Sequence, residues 1–151
     1  MKLTAQKIYT ALTTDVTLAA YVKEFTMGAC DASKLMFPFV NLGEIDEIID
    51  PQTIGNRGSD EYTFEVRIEF GTRELTPDLA YFGDAATGVK GILDVSDDLR
   101  SLCRDNLFDG AFYRPAIITR TRIVRFTVGG DWIQLGEMAF MGRRKVRRTR
   151  P

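Results

Sequence analysis

Between Glu61 and Gly71 the sequence reads EYTFEVRIEFG, and no other stretch limits the fold as tightly. Tyr62, Phe64, Val66, Ile68 and Phe70 alternate without a break against Glu61, Thr63, Glu65, Arg67 and Glu69. An unbroken period of two specifies a strand with one face in a core and the other in water. A chain holding such a strand must build a sheet and cover one side of it. The wet face mixes Glu with Arg, which discourages uncontrolled pairing between edges.

The remaining elements are read around that strand. In TAQKIYTALTTDVTLAAYVKEF, residues 4–25, Ile8, Ala11 and Leu12 share a helical face, and Val16, Ala19, Ala20 and Val22 continue it with a shifted phase. Thr14 and Asp15 at the join are good N-caps, so the spacing predicts a helix, a break and a second helix. Gly28, Asp31 and Ser33 make residues 26–36 a loop. FPFVNLGEIDEII, residues 37–49, reads as a strand with Pro38 at its start or on an edge. Val40, Leu42 and Glu44 would face one way, and Phe39, Asn41 and Gly43 the other. DPQTIGNRGSD, residues 50–60, is a polar loop.

Thr76 and Pro77 form a cap and first turn. Ala85, Val89, Ile92, Leu93, Leu99, Leu102 and Cys103 then fit one face of an amphipathic helix over 84–105, with Gly88, Gly91 and Ser96 as points where it breaks. AIITRTRIVRFTV and WIQLGEMAFMG, residues 116–128 and 132–142, are strands joined by a Gly-Gly-Asp turn. The order αα-β-β-α-β-β predicts an α+β domain over residues 1–142: one mainly antiparallel four-stranded sheet with helices packed on one face. GRRKVRRTRP follows, so residues 143–151 read as a basic C-terminal tail.

Composition narrows the function. A chain of 151 residues, 44% hydrophobic, builds a core without staples. The polar residues after Lys2, among them Gln6 and Lys7, break any signal-peptide core, and no apolar run is long enough to span a bilayer, so the expected setting is the cytosol with no membrane partner. Histidine is absent, which removes the commonest general base, the Ser-His-Asp arrangement and most metal sites. Cys30 and Cys103 suit neither a disulfide scaffold nor zinc and read as buried thiols. The carboxylates Asp46, Glu47 and Asp50, and Asp94, Asp97 and Asp98, follow no calcium-loop pattern. GDAATGVKG lacks the phosphate-loop spacing, and nothing near Lys90 argues for a catalytic lysine. These readings give no catalytic residue, no cofactor and no metal; the expectation is a protein that is not an enzyme.

Charge is divided along the chain. Residues 1–110 hold ten Lys/Arg against nineteen Asp/Glu, and residues 111–151 hold ten against two. Either folding mixes the halves on one surface, or acidic and basic faces meet between copies. Trp132, Phe126 and Tyr113 beside arginines have the composition of a stacking platform for single-stranded nucleic acid, although hairpin aromatics more often serve a core.

IYTALTTDVTLAAYV, followed by a loop, by FPFVNLGEIDEI, by the alternating EYTFEVRIEF, and then by a helix and a closing hairpin, resembles the tail-completion and tail-terminator (neck) proteins of long-tailed bacteriophages. The resemblance covers most of the chain as an order of elements. It implies a small α+β protomer, six of which form a ring that ends the tail tube and joins it to the head-side connector or stopper. The implied partners are further copies of the chain, the tail tube protein and that connector, in a virion assembled in the host cytoplasm. The longer stretch 72–83 and the basic C-terminus depart from the pattern.

The expected interface comprises Asp50, Ile54, Arg57 and Asp60 of the loop, Arg120, Arg122 and Arg125 of the hairpin, and Arg143, Arg144, Lys145, Arg147, Arg148 and Arg150 of the tail. The alternative is a small nucleic-acid-binding protein that grips DNA non-specifically with the same basic hairpin and tail.

Overall fold

The structure is a computed structural model that describes residues 1–49, 59–104 and 106–147. Helix α1 spans Lys2–Thr14 and α2 spans Val16–Ala19. Asp15 separates them: its backbone is extended and its carboxylate accepts from the Leu18 N–H at 2.9 Å, the cap expected at the join. Thr4, Ile8 and Leu12 point inward from α1, one turn apart. On α2 and the turn after it, Leu18 and Val22 are buried while Val16, Ala19 and Ala20 are exposed, so the apolar face is not the one the sequence predicts.

Among the described residues the sheet has five strands rather than four, in the order β1-β2-β3-β5-β4. Strand β1, Glu24–Met27, lies where the sequence predicts the end of a helix and the start of a loop. It pairs in parallel with β2, Phe39–Ile49, and places Phe25 beside Val40. Four residues are too few to show a period, so this strand leaves no signal of its own. A 3₁₀ turn over Ala32–Lys34 and a cis peptide before Pro38 lead into β2, with Pro38 just ahead of the strand. All other strand pairs are antiparallel.

Strand β3 runs from Ser59 to Glu74, beyond both ends of the alternating motif. Phe64, Val66, Ile68 and Phe70 are buried on the helix side, as the alternation requires. On β2 a bulge between Leu42 and Ile45 inserts an extra residue. Ile45 thereby joins the core side, whereas Glu44, expected beside Val40 and Leu42, turns out to water, where its carboxylate meets Arg67 at 3.1 Å.

The predicted helix over 84–105 is broken. Helix α3, Pro77–Phe82, starts at the expected cap and ends at Gly83, whose φ of 72° suits glycine. A tight turn then bridges Asp84 to Val89, and α4 runs only from Ile92 to Arg104. Added bulk at Gly91 would overlap the backbone around Gly83, which is why the two glycines meet here. Ile92, Val95, Leu99 and Cys103 of α4 bury a stripe over β3, β4 and β5. Each such aliphatic side chain contributes about 1.5–3 kcal/mol.

Strands β4, Ile117–Val128, and β5, Asp131–Arg147, form the closing hairpin about Gly129 and Gly130, both at positive φ. Strand β5 passes beyond Gly142, where the tail was expected to begin, and pairs residue by residue with β3 from Trp132 opposite Glu74 to Arg147 opposite Ser59. The helices cover one face of the sheet, and Phe108, Phe112 and Phe140 pack together beneath them.

Candidate assembly interface

Among the described residues, no helix lies on the sheet's second face. The segment leading to β2 crosses one end of it, where Phe37, Phe39 and Leu135 close over Gly71. The rest is a field of side chains from β3, β5 and β4. Glu61, Thr63, Glu65, Arg67 and Glu69 of β3 stand beside Glu137, Ala139, Met141 and Arg143 of β5, and Ile117, Arg120, Arg122 and Val124 of β4 lie beyond them. Ile117 and Val124 are 64% and 45% exposed, so apolar surface is interspersed with charge on a face open to a partner.

Strand order explains the electrostatics. The chain places β5, from the basic half of the sequence, directly against β3, from the acidic half. Arg120 pairs with Glu137, Arg143 approaches Glu61 at 3.6 Å, and Arg73 bonds Asp131 at 2.7 Å. Of these three pairs, Arg143–Glu61 joins a cation of the basic half to an anion of the acidic half, so the charge division is reconciled only in part within one protomer.

The start of the expected tail is part of this network. The Tyr113 amide donates to the Arg143 carbonyl at 2.9 Å, and the Tyr113 hydroxyl donates to Glu61 at 2.5 Å. Partial desolvation, and then the Glu61 carboxylate, push the Tyr113 phenol above its ordinary range. Lys145 lies 4.8 Å from the centroid of the same ring. The Tyr113 face is therefore occupied from within the chain. Trp132 sits at the far end of β5, so the proposed aromatic platform is not assembled as one surface.

The remaining expected interface residues divide between the two faces. Arg120, Arg122, Arg143 and Lys145 belong to the open face. Arg125 falls on the helix side, 4.5 Å from the Tyr81 ring centroid, and Arg144 also points there, 3.4 Å from the Thr4 hydroxyl on α1. Asp60 and Arg147 lie on the paired ends of β3 and β5. Asp50, Ile54, Arg57, Arg148 and Arg150 lie outside the described residues.

Sequence reasoning missed a cleft on the open face of about 430 Å³, lined by Cys30, Phe39, Glu69, Arg122, Val124 and Leu135. Glu69 accepts from the buried Asn41 amide at 2.8 Å and from the Cys30 thiol at 3.4 Å. Burial and then Glu69 raise the Cys30 thiol to about 11, which makes it a poor nucleophile. Cys103, buried in α4, is pushed up to about 12 by desolvation. Lys90 is held 3.4 Å from Asp98 and over the Tyr21 ring. Among the described residues, no group of three or more His, Cys, Asp or Glu is placed to hold a metal ion, and no helix is long and apolar enough to cross a membrane.

No family model and no curated protein matches the sequence. Among solved structures, a chain from the "Virion of native gene transfer agent (GTA) particle" is similar to this one with a TM-score of 0.54 and 17% sequence identity, over 92% of each chain, and what the two share is the fold.

Proposed function

We propose that the chain is a structural subunit of a phage-like virion, in its neck or tail. In this reading several copies, six by the family resemblance, form a ring that ends the tail tube and joins it to the head-side connector. The observation that carries the reading is a fold shared over nearly the whole length of both chains with a component of a virion particle. The open sheet face fits this reading, since it offers Ile117 and Val124, both exposed, on a surface that a partner would cover. The tail tube protein and the connector are the partners proposed for the two ends of the ring, with virion localisation to match.

The nucleic-acid alternative is weakened by intramolecular pairing. Arg120 and Arg143 already face Glu137 and Glu61 within the chain, which offsets part of the charge they would offer to phosphate. Particle assembly without this protein is the test. Tails that fail to join heads, together with a ring of the isolated protein seen by native mass spectrometry, support the proposal. Intact infectious particles made in its absence reject it.

A further inference from the structure

Two grooves run along opposite flanks of α4, and they carry opposite charge. The first, about 620 Å³, lies between α4 and the start of β4 and is lined by Arg100, Arg104, Ile117 and Arg120. The second, about 740 Å³, lies between α4, the α1–α2 corner and the turn over 106–110, and is lined by Asp15, Asp98, Ser101, Leu107 and Asp109. Helical spacing fixes the separation. Arg100 and Arg104 are one turn apart on one flank, and Asp98 and Leu102 are one turn apart on the other. Each groove also presents an exposed aliphatic side chain, Ile117 at 64% and Leu107 at 41%.

The local ion pairs leave Arg100 and Asp109 open to a partner, whereas Asp98, 22% exposed, would have to be shared with Lys90. Asp97, the partner of Arg100 at 4.0 Å, is 76% exposed, and Asp109, the partner of Lys7 at 3.5 Å, is 91% exposed. Pairs this open to water hold weakly and exchange partners at little cost. Lys90 faces Asp98 from the edge of the acidic groove, and Glu137 faces Arg120 from the edge of the basic one.

We infer that the basic groove of one copy receives the acidic flank of the next, with Arg100 and Arg104 against Asp98 and Asp109, and Ile117 against Leu107. This rests on the oligomeric reading above and names its contact. An isologous contact through either flank would set like charge on like. A contact between the two different flanks is heterologous, the kind that repeats and closes into a ring when its rotation allows. Ile117 and Arg120 stand where the open sheet face meets this groove, and the rest of that face is left for a different partner.

Two reversal variants of the full chain test the pairing. Arg100→Glu with Arg104→Glu makes both flanks acidic, and Asp98→Lys with Ser101→Lys and Asp109→Asn leaves the second flank with two lysines against Asp15, so that both are basic. Thermal unfolding checks that each is folded, and native mass spectrometry and sedimentation at low salt read assembly. Wild-type chain is expected to form the oligomer, and each variant alone to associate at least about tenfold more weakly. An equimolar mixture is expected to assemble again, in even-numbered rings with the two variants alternating. If a reversal fails to fold, Arg104→Gln and Ser101→Lys, both at exposed positions, carry the same test with a smaller shift. Variants that assemble like wild type, or a mixture that stays dissociated, overturn this contact and leave the ring reading standing. Wild-type chain that remains monomeric overturns both.

Discussion

Phe70 on β3 lays its ring over Gly136, its cross-strand partner on β5, in the space a Cβ would occupy. Phe112 does the same over Gly142 further along the strand. Strand β5 thus gives up two side chains so that two aromatic rings can lie close to the sheet. Gly136→Ala would force the Phe70 ring out of a filled core. The expected loss is about 1–3 kcal/mol, read as a lower denaturant midpoint with an unchanged slope. Unchanged stability would mean that the ring has room to move.

Val66 is fully buried at the centre of β3. Val66→Asp places an unpaired carboxylate between the sheet and α4, and the expected outcome is loss of the folded state at neutral pH, with a cost above about 4 kcal/mol. Far-UV circular dichroism and solubility check it. A soluble protein that unfolds cooperatively would put that side chain outside the core.

Deleting residues 143–151 removes more than a charged extension. Residues 143–147 pair with Ser59–Thr63, and Arg143 and Tyr113 share Glu61. The isolated truncated subunit is therefore expected to lose about 1–3 kcal/mol of its own stability, apart from any effect on assembly. Equal melting temperatures for the two lengths would show that this end of the ladder contributes nothing.

Cys30 is expected to alkylate slowly at pH 8 and to accelerate as the pH approaches about 11, because burial and then Glu69 disfavour the thiolate. The sign is fixed: the neutral thiol is the favoured form, so reactivity rises only with base. Glu69→Gln removes the negative neighbour and should bring the rise to lower pH. A rate that already levels off below pH 9 would contradict the thiol–Glu69 contact.

Legibility in the sequence followed the range of the forces involved. The alternation from Tyr62 to Phe70 was decisive because each residue's environment is set by its own strand. The cap at Asp15 and the helical start at Pro77 are equally local and were read correctly. Strand β1 was missed because its place depends on a parallel neighbour, β2, rather than on its own four residues. Glu44 was assigned to the wrong side because a bulge is invisible to a fixed period. The basic segment looked like a tail because nothing within Arg143–Arg147 announces Glu61 and Tyr113, which lie far away in the chain. The same holds for the α4 grooves. The i,i+4 spacing of Arg100 and Arg104 could be seen in sequence, but the β4 wall opposite them could not.

The placement of β5 between β3 and β4 also dictates when the protein can come into being. During translation β3 emerges early, with β2 on one side and a bare hydrogen-bonding edge on the other. That edge stays bare until residues 131–147 have been made, because no earlier segment of the sheet fills the position. Completion of the fold is therefore a late event, and until then the nascent chain displays an open strand of the type that recruits wrong partners. The glutamates on the wet face of β3, with Arg67 among them, discourage such pairing through this interval.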